Sequence, residues 1–292
     1  MTGAGLDPRR NAYRDDLAAE ELRGRVSAPR FAKGEARQVV AAQAAVRRLP
    51  DVSSALDTQA LFGEHVTVYD RVKGWCWVQI VRDGYVGYMQ ENDLSDTVTD
   101  ATHRVSAPAT FVFSVPDIKT APAMTLGMQS QLKVVNIAGR FAELSSGGWV
   151  PTPHIVTTEK TAHDFVEIAE QFIGTPYLWG GRTRAGIDCS GLLQIALEAA
   201  GYRCPRDSDM QQDEVGTPCA IRNSREGLLR GDLIFWQGHV GIMVDGYRLL
   251  HANAHHMAVA VEPVQAAIAR IGLFGSSITA VKRVVRWGGQ GT

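Results

Sequence analysis

Thr175-Pro-Tyr-Leu-Trp-Gly-Gly-Arg-Thr-Arg-Ala-Gly-Ile-Asp-Cys-Ser-Gly191 is a breaker-rich loop that delivers a cysteine, Cys189, to its end. An apolar-periodic run, Leu192-Leu-Gln-Ile-Ala-Leu-Glu-Ala-Ala200, follows at once, and Gly201 stops it. The pattern predicts a helix opening at Cys189 with glycine at its C-terminal cap. A thiol at a helix N-terminus meets unpaired backbone N–H groups and the positive end of the dipole, and both favour the nucleophilic thiolate. A purely structural cysteine sits more often on a strand or mid-helix, where burial makes it inert.

A thiolate acting on an amide needs a base and a group that orients the base. About forty residues on come Gly231-Asp-Leu-Ile-Phe-Trp236 and His239-Val-Gly-Ile-Met-Val244. Asp245-Gly246 reads as a hairpin turn, and Tyr247-Arg-Leu-Leu-His-Ala252 as the returning strand. His239 starts one strand and His251 ends its partner, so both lie at one end of the hairpin. A lone strand histidine is more often structural than catalytic. Two at one hairpin end, opposite a helix-start cysteine, point to Cys189 as nucleophile, His239 as base and acid, and His251 as orienting residue.

Several stretches occur together in order: Gly174-Thr-Pro-Tyr-Leu-Trp-Gly-Gly181, Asp188-Cys-Ser-Gly191, Pro205-Arg-Asp-Ser208 with Gln211, Gly231-Asp-Leu233, Gly238-His-Val-Gly241 and His251-Ala252. In this combination residues 160–286 resemble the NlpC-type cell-wall cysteine peptidases. The resemblance implies a reduced papain-like α+β fold and hydrolysis of peptide bonds in peptidoglycan stems. It implies that the Tyr177 hydroxyl donates to the developing oxyanion beside the Cys189 N–H, a contact whose loss typically costs about 3 kcal/mol; the alternative for Tyr177 is a core aromatic. It also places Asp188, Ser190, Arg206, Asp207 and Ser208 along the cleft. There Asp207 would share the substrate ammonium, and Arg206 and the hydroxyls would take the free carboxylate of a γ-linked D-glutamate. Asp188 has a second reading, as N-cap of the catalytic helix. Arg182 and Arg184 share the cysteine's loop and read as solvated charges, with the anionic substrate as the other possibility.

At 292 residues the chain suggests about two domains. Its 45% hydrophobic and 21% charged content is that of an ordinary globular protein. A net charge of −1 with scattered basic residues gives no pull toward nucleic acid or an anionic membrane. No 18-residue apolar span occurs. Residues 1–36 are charged throughout and lack an apolar signal core, so the expected location is cytoplasmic. Cys76, Cys189, Cys204 and Cys219 fit reduced thiols, and neither their spacing nor His255-His256 predicts a metal. No cofactor is expected.

Upstream, residues 1–36 read as a polar arm with helical character around Arg14–Leu22. Alternating, glycine-punctuated strands then predict a small antiparallel barrel. A loose repeat of about 65 residues, with Leu61-Phe-Gly-Glu64 answering Leu126-Gly-Met-Gln129, implies two copies of one module. Both resemble bacterial SH3-like domains, the second serving as scaffold. The expected organisation is thus an arm at 1–36, SH3-like domains at 37–97 and 98–157, and an NlpC-type peptidase domain at 158–292, entered by a helix at His163–Ile173. In a subgroup of the family the first barrel clasps the free amine of an N-terminal L-alanine. The matching positions are Glu64 and Tyr85, with Tyr88 competing for the latter role and solvated surface as the alternative for all three. A buried carboxylate that recognises an ammonium discriminates strongly.

The expected function is a cysteine endopeptidase of cell-wall recycling. It would cleave the γ-D-glutamyl–diaminopimelate bond of stem peptides with a free N-terminal L-Ala. The rivals are a hydrolase of intact peptidoglycan, a non-catalytic wall-binding protein, and an acyltransferase on the same fold.

Overall fold

The computed structural model describes residues 5–219 and 227–284; the extreme ends expected for the arm and the peptidase domain lie outside them. The chain divides into two compact units. One takes the chain up to Lys160 together with Trp179–Thr183, and the other takes Thr161–Leu178 and the chain from Arg184 onward.

The first unit is built almost wholly of strands. Its seven-stranded sheet runs in the order Leu94–Ser95, Glu35–Val39, His65–Val72, Trp75–Ile80, Val86–Gln90, Gln43–Arg47, Leu56–Leu61. Val39, Val46, Val66, Val78, Ile80 and Met89 fill its core. A five-stranded and a three-stranded sheet follow over residues 103–157, around Val105, Leu126, Leu132 and Val150. Phe62 packs against this second core, and its carbonyl accepts from the Gln131 N–H at 2.8 Å. Gly63 makes that junction possible: its φ is +80°, and a Cβ there would lie 2.1 Å from the Gln131 carbonyl oxygen.

The N-terminal stretch is not an arm, and the helical character expected around Arg14–Leu22 is confined to a single 3-10 turn at Glu20–Leu22. Tyr13–Arg14, Leu17–Ala19 and Arg30–Ala32 form their own three-stranded sheet. Leu17, Ala19 and Leu22 bury against Tyr69 and Trp77, and the Arg14 guanidinium lies 4.6 Å from the Trp77 ring centroid. Its charges occupy the outer face, while the apolar residues between them meet aromatic side chains that the local pattern could not anticipate.

The second unit is α+β. An antiparallel sheet runs in the order Thr217–Pro218, Ile278–Arg283, Asp232–Trp236, His239–Met243, Arg248–Asn253, Ala258–Pro263. Among the described residues four helices accompany it: α1 (Phe165–Glu170), α2 (Cys189–Ala199), α3 (Ser208–Glu214) and α4 (Val264–Gly272). α1 is shorter than the expected His163–Ile173: Asp164 caps its start, accepting from Val166 N at 2.8 Å, and after Glu170 the chain continues in i→i−3 turns through Ile173. α2 is mostly apolar and buried, Leu192, Leu193, Ile195, Ala196 and Leu197 included, and its buried Gln194 donates to the Cys204 carbonyl. It ends as expected: Gly201 has φ +86°, and a Cβ there would press on Thr161. Asp232, from the Gly-Asp-Leu motif, is a buried partner of Arg283 at 2.7 Å.

Candidate active site

Asp188 caps α2, its Oδ1 accepting from Gly191 N at 2.7 Å. This cap sets the first turn and hence the position of Cys189. The Asp188 carboxylate also meets Arg206, whose Nη2 lies 2.7 Å from Oδ2 and whose Nη1 donates to Ser190 Oγ at 2.7 Å. Arg206 is 1% exposed. Gln211 closes the cluster by donating to the Ser190 and Pro205 carbonyls at 2.9 and 2.8 Å. Of the two readings of Asp188, the structure thus shows the cap. The carboxylate met by the Arg206 guanidinium is the protein's own. Asp207 precedes α3 and Ser208 opens it, both half-buried.

The hairpin brings the two histidines together. Ile242 faces Leu250 and Met243 faces Leu249. Continuing that register puts His239 one diagonal step from His251 on the same face of the sheet. Their ring centroids are 5.1 Å apart, and His239 Nε2 lies 2.8 Å from His251 Nδ1. His251 is 0% exposed. Its other nitrogen, Nε2, lies 2.8 Å from Glu262 Oε1, and Glu262 pairs in turn with Arg270.

The protons along this line follow from the donors. Glu262 Oε1 receives a guanidinium, which only donates, so it acts as an acceptor toward His251 as well. His251 therefore carries its proton on Nε2 and offers the Nδ1 lone pair. His239 donates to it from Nε2, which leaves His239 Nδ1 as the basic nitrogen. Burial keeps both rings neutral, pulling His239 down to about 3 and His251 to about 4, the latter against the opposing pull of Glu262.

Burial also pushes the Cys189 thiol up to about 12, with the Asp188 charge adding to the rise. The N–H groups of Val240 and Ser190 work in the opposite sense. Val240 is the residue after His239, so the sulfur and the base sit at the same end of the strand. A helix terminus alone predicts an easily formed thiolate; desolvation works against it and favours the neutral thiol and the neutral imidazole. Tyr177 is half-buried, and its pKa is raised by burial and then by the charges of Cys189 and Asp188.

Cys189, His239, His251, Tyr177, Asp188, Ser190, Arg206, Asp207 and Ser208 thus belong to one unit. Glu64 and Tyr85 belong to the other. Glu64 is 1% exposed and meets Arg82 at 2.8 Å, Arg182 at 3.3 Å and the Leu61 N–H at 3.1 Å. It is not solvated surface, and neither is Arg182, which is fully buried and also donates to the Gln59 carbonyl. Arg184 caps the carbonyls of Gln171 and Ile173. Tyr85 lies in the first hydrophobic core, and the Tyr88 hydroxyl accepts from Arg14.

Sequence reasoning missed Glu262 and Arg270. A signal for Glu262 exists: it faces Leu249 across the next strand pair, diagonal to His251.

The sequence model of the NlpC/P60 family matches residues 174–274, and that of the bacterial dipeptidyl-peptidase SH3 domain matches residues 46–94. A gamma-D-glutamyl-L-lysine dipeptidyl-peptidase of Bacillus subtilis (strain 168) is 31% identical over 227 residues, 68% of this chain and 73% of that protein. Dipeptidyl-peptidase 6 of Lysinibacillus sphaericus is 28% identical over 239 residues, 74% of this chain and 86% of that protein. A crystal structure of a NlpC/P60 family protein from Bacillus cereus ATCC 10987 matches the fold with a TM-score of 0.72 at 21% identity, covering 85% of this chain and 99% of that one. The fold is papain-like with an SH3-like domain ahead of it, and the chain belongs to the NlpC/P60 family.

Proposed function

We propose that this cysteine-type peptidase cleaves the γ-D-glutamyl–diamino acid bond of peptidoglycan stem peptides that begin with a free L-Ala. The observation that carries the chemistry is the unbroken line from His239 through His251 to Glu262, with the N–H of Val240, the residue after His239, directed at the Cys189 sulfur. Support for the bond comes from relatives whose names specify γ-D-glutamyl-L-lysine and dipeptidyl hydrolysis.

The Cys189 sulfur attacks the scissile carbonyl carbon while its proton passes to His239 Nδ1. The Cys189 N–H and the Tyr177 hydroxyl hold the oxyanion. His239 gives that proton to the departing amine as the C–N bond breaks, leaving a thioester. Water then loses a proton to the same nitrogen, attacks the thioester and frees the acid, and the thiol is restored. Starting from a neutral pair, proton transfer accompanies attack, so charge develops only once substrate has excluded water.

The amine clasp remains part of the proposal through Glu64 and Tyr85, as do substrate contacts at Asp207 and Ser208. Glu64 enters the proposal through the family resemblance, since its buried carboxylate already pairs with Arg82 and Arg182. The second strand-rich stretch is proposed as a scaffold copy of the first. A place in cell-wall recycling in the cytoplasm belongs to the same proposal; no helix among the described residues is long and apolar enough to cross a membrane. The test is hydrolysis of L-Ala-γ-D-Glu-diaminopimelate beside its N-acetylated form. Cleavage of the free-amine peptide alone is expected; equal cleavage of both sinks the clasp, and cleavage of neither sinks the activity.

A further inference from the structure

We propose that the cavity beside His239 is the leaving-group subsite, and that Arg270 makes it select a diamino acid with a distal carboxylate, diaminopimelate, over lysine. This rests on the peptidase reading above.

The cavity holds about 450 Å³, ample for one amino acid, and lies wholly within the second unit. His239 lines it and Cys189 does not. The imidazole that takes the thiol proton hands it to the departing amine. The atoms attached to that amine therefore lie on the His239 side of the scissile bond, where this cavity opens.

Its charged lining is one-sided, and Gln237, Asn253 and the Tyr177 hydroxyl are its neutral polar groups. Arg270 and His255 face it, and no Asp or Glu does among the described residues; Glu262, the partner of Arg270, is not part of the wall. Trp236 also lines it. This side chain is 2% exposed, and its Nε1 has no hydrogen-bond partner. An indole N–H can only donate, so a ligand that satisfies it brings an acceptor. Ser276 Oγ, on the same wall, is likewise buried without a partner. Ile271 and Phe274 add apolar surface for a methylene chain. A carboxylate at the end of that chain gives Arg270, already paired with Glu262, a second anion on its cavity side and accepts from the orphaned Trp236 N–H and Ser276 hydroxyl. A lysine ammonium in its place meets the Arg270 guanidinium and, among the described lining residues, finds no carboxylate to pair with.

Steady-state kcat/KM for L-Ala-γ-D-Glu-meso-diaminopimelate and L-Ala-γ-D-Glu-L-Lys, measured on the full chain, tests this. We expect at least about a tenfold preference for the diaminopimelate peptide, the discrimination that one charge-assisted contact supplies. Arg270→Gln should bring the ratio to within about threefold of unity, and Arg270→Lys should restore part of it. Taking the ratio cancels any loss of turnover that reaches His251 through Glu262. A wild-type ratio near one or in favour of lysine, which needs no variant to observe, overturns the proposal. So does an unchanged ratio in Arg270→Gln. If folded wild-type protein cleaves neither peptide, it is the peptidase reading that fails, and this proposal falls with it.

Discussion

His251 has no surface, yet both of its ring nitrogens are spoken for, one by His239 and one by Glu262. Glu262 is thereby a positioning residue: it acts on the thiol only through the tautomers of two imidazoles. Glu262→Gln presents an amide N–H to His251 Nε2 and drives the opposite proton arrangement back along the line. We expect kcat to fall by about a hundredfold with KM within about threefold of wild type, less than the roughly 10⁴-fold seen when the group directly orienting a catalytic histidine is altered. Glu262→Asp should recover part of the loss. A kcat unchanged in Glu262→Gln, measured beside its thermal midpoint to show that it folds, would refute the role. Cys189, His239 and His251 are legible because each is placed by a local signal, a helix start or a hairpin turn. Glu262 is not, because its place depends on the register of a further strand. The thiol's raised pKa is not legible either: the helix terminus is a sequence feature, whereas desolvation belongs to the packed chain.

At the scale of the element, α2 carries the site, and its N-terminus is held by a buried ion pair rather than by the cap alone. Asp188 serves Gly191, Ser190 and Arg206 at once. Asp188→Ala removes the cap and leaves a buried guanidinium without that carboxylate. The expected cost is about 3 kcal/mol or more, read from denaturant unfolding of the peptidase unit. Asp188→Ala combined with Arg206→Met should recover much of it, because the uncompensated charge is then gone. A single-variant loss below about 1 kcal/mol would mean that the pair is not what holds the helix start. The extent of α2 was readable from its periodicity and from Gly201. The strands at Tyr13–Arg14 and Leu17–Ala19 were not, since a short charged segment acquires its structure from the Tyr69 and Trp77 surface it covers.

For the whole molecule, the neutral histidine pair links stability to pH. Both folded-state pKa values lie below the ordinary imidazole value of about 6.5. Below that pH the unfolded chain binds protons that the folded chain refuses, so stability falls as the pH drops from about 6.5 toward about 4 and gains nothing from these groups above it. Calorimetric midpoints across that range should show the decline, and His251→Gln should flatten it; a wild-type midpoint constant from pH 7 to 5 would contradict the buried neutral pair. By itself the sequence determined the peptidase fold, the placing of Cys189 at a helix start and the placing of His239 and His251 at one hairpin end, because helix starts, hairpin turns and alternation are written within a few residues of one another. Only the tertiary structure decided that Arg206 is spent on Asp188, that Glu64 is buried between Arg82 and Arg182, and that the line of protons ends on Glu262. Those partners are brought together by burial and strand register, which act between residues far apart in the chain and leave no periodicity in it.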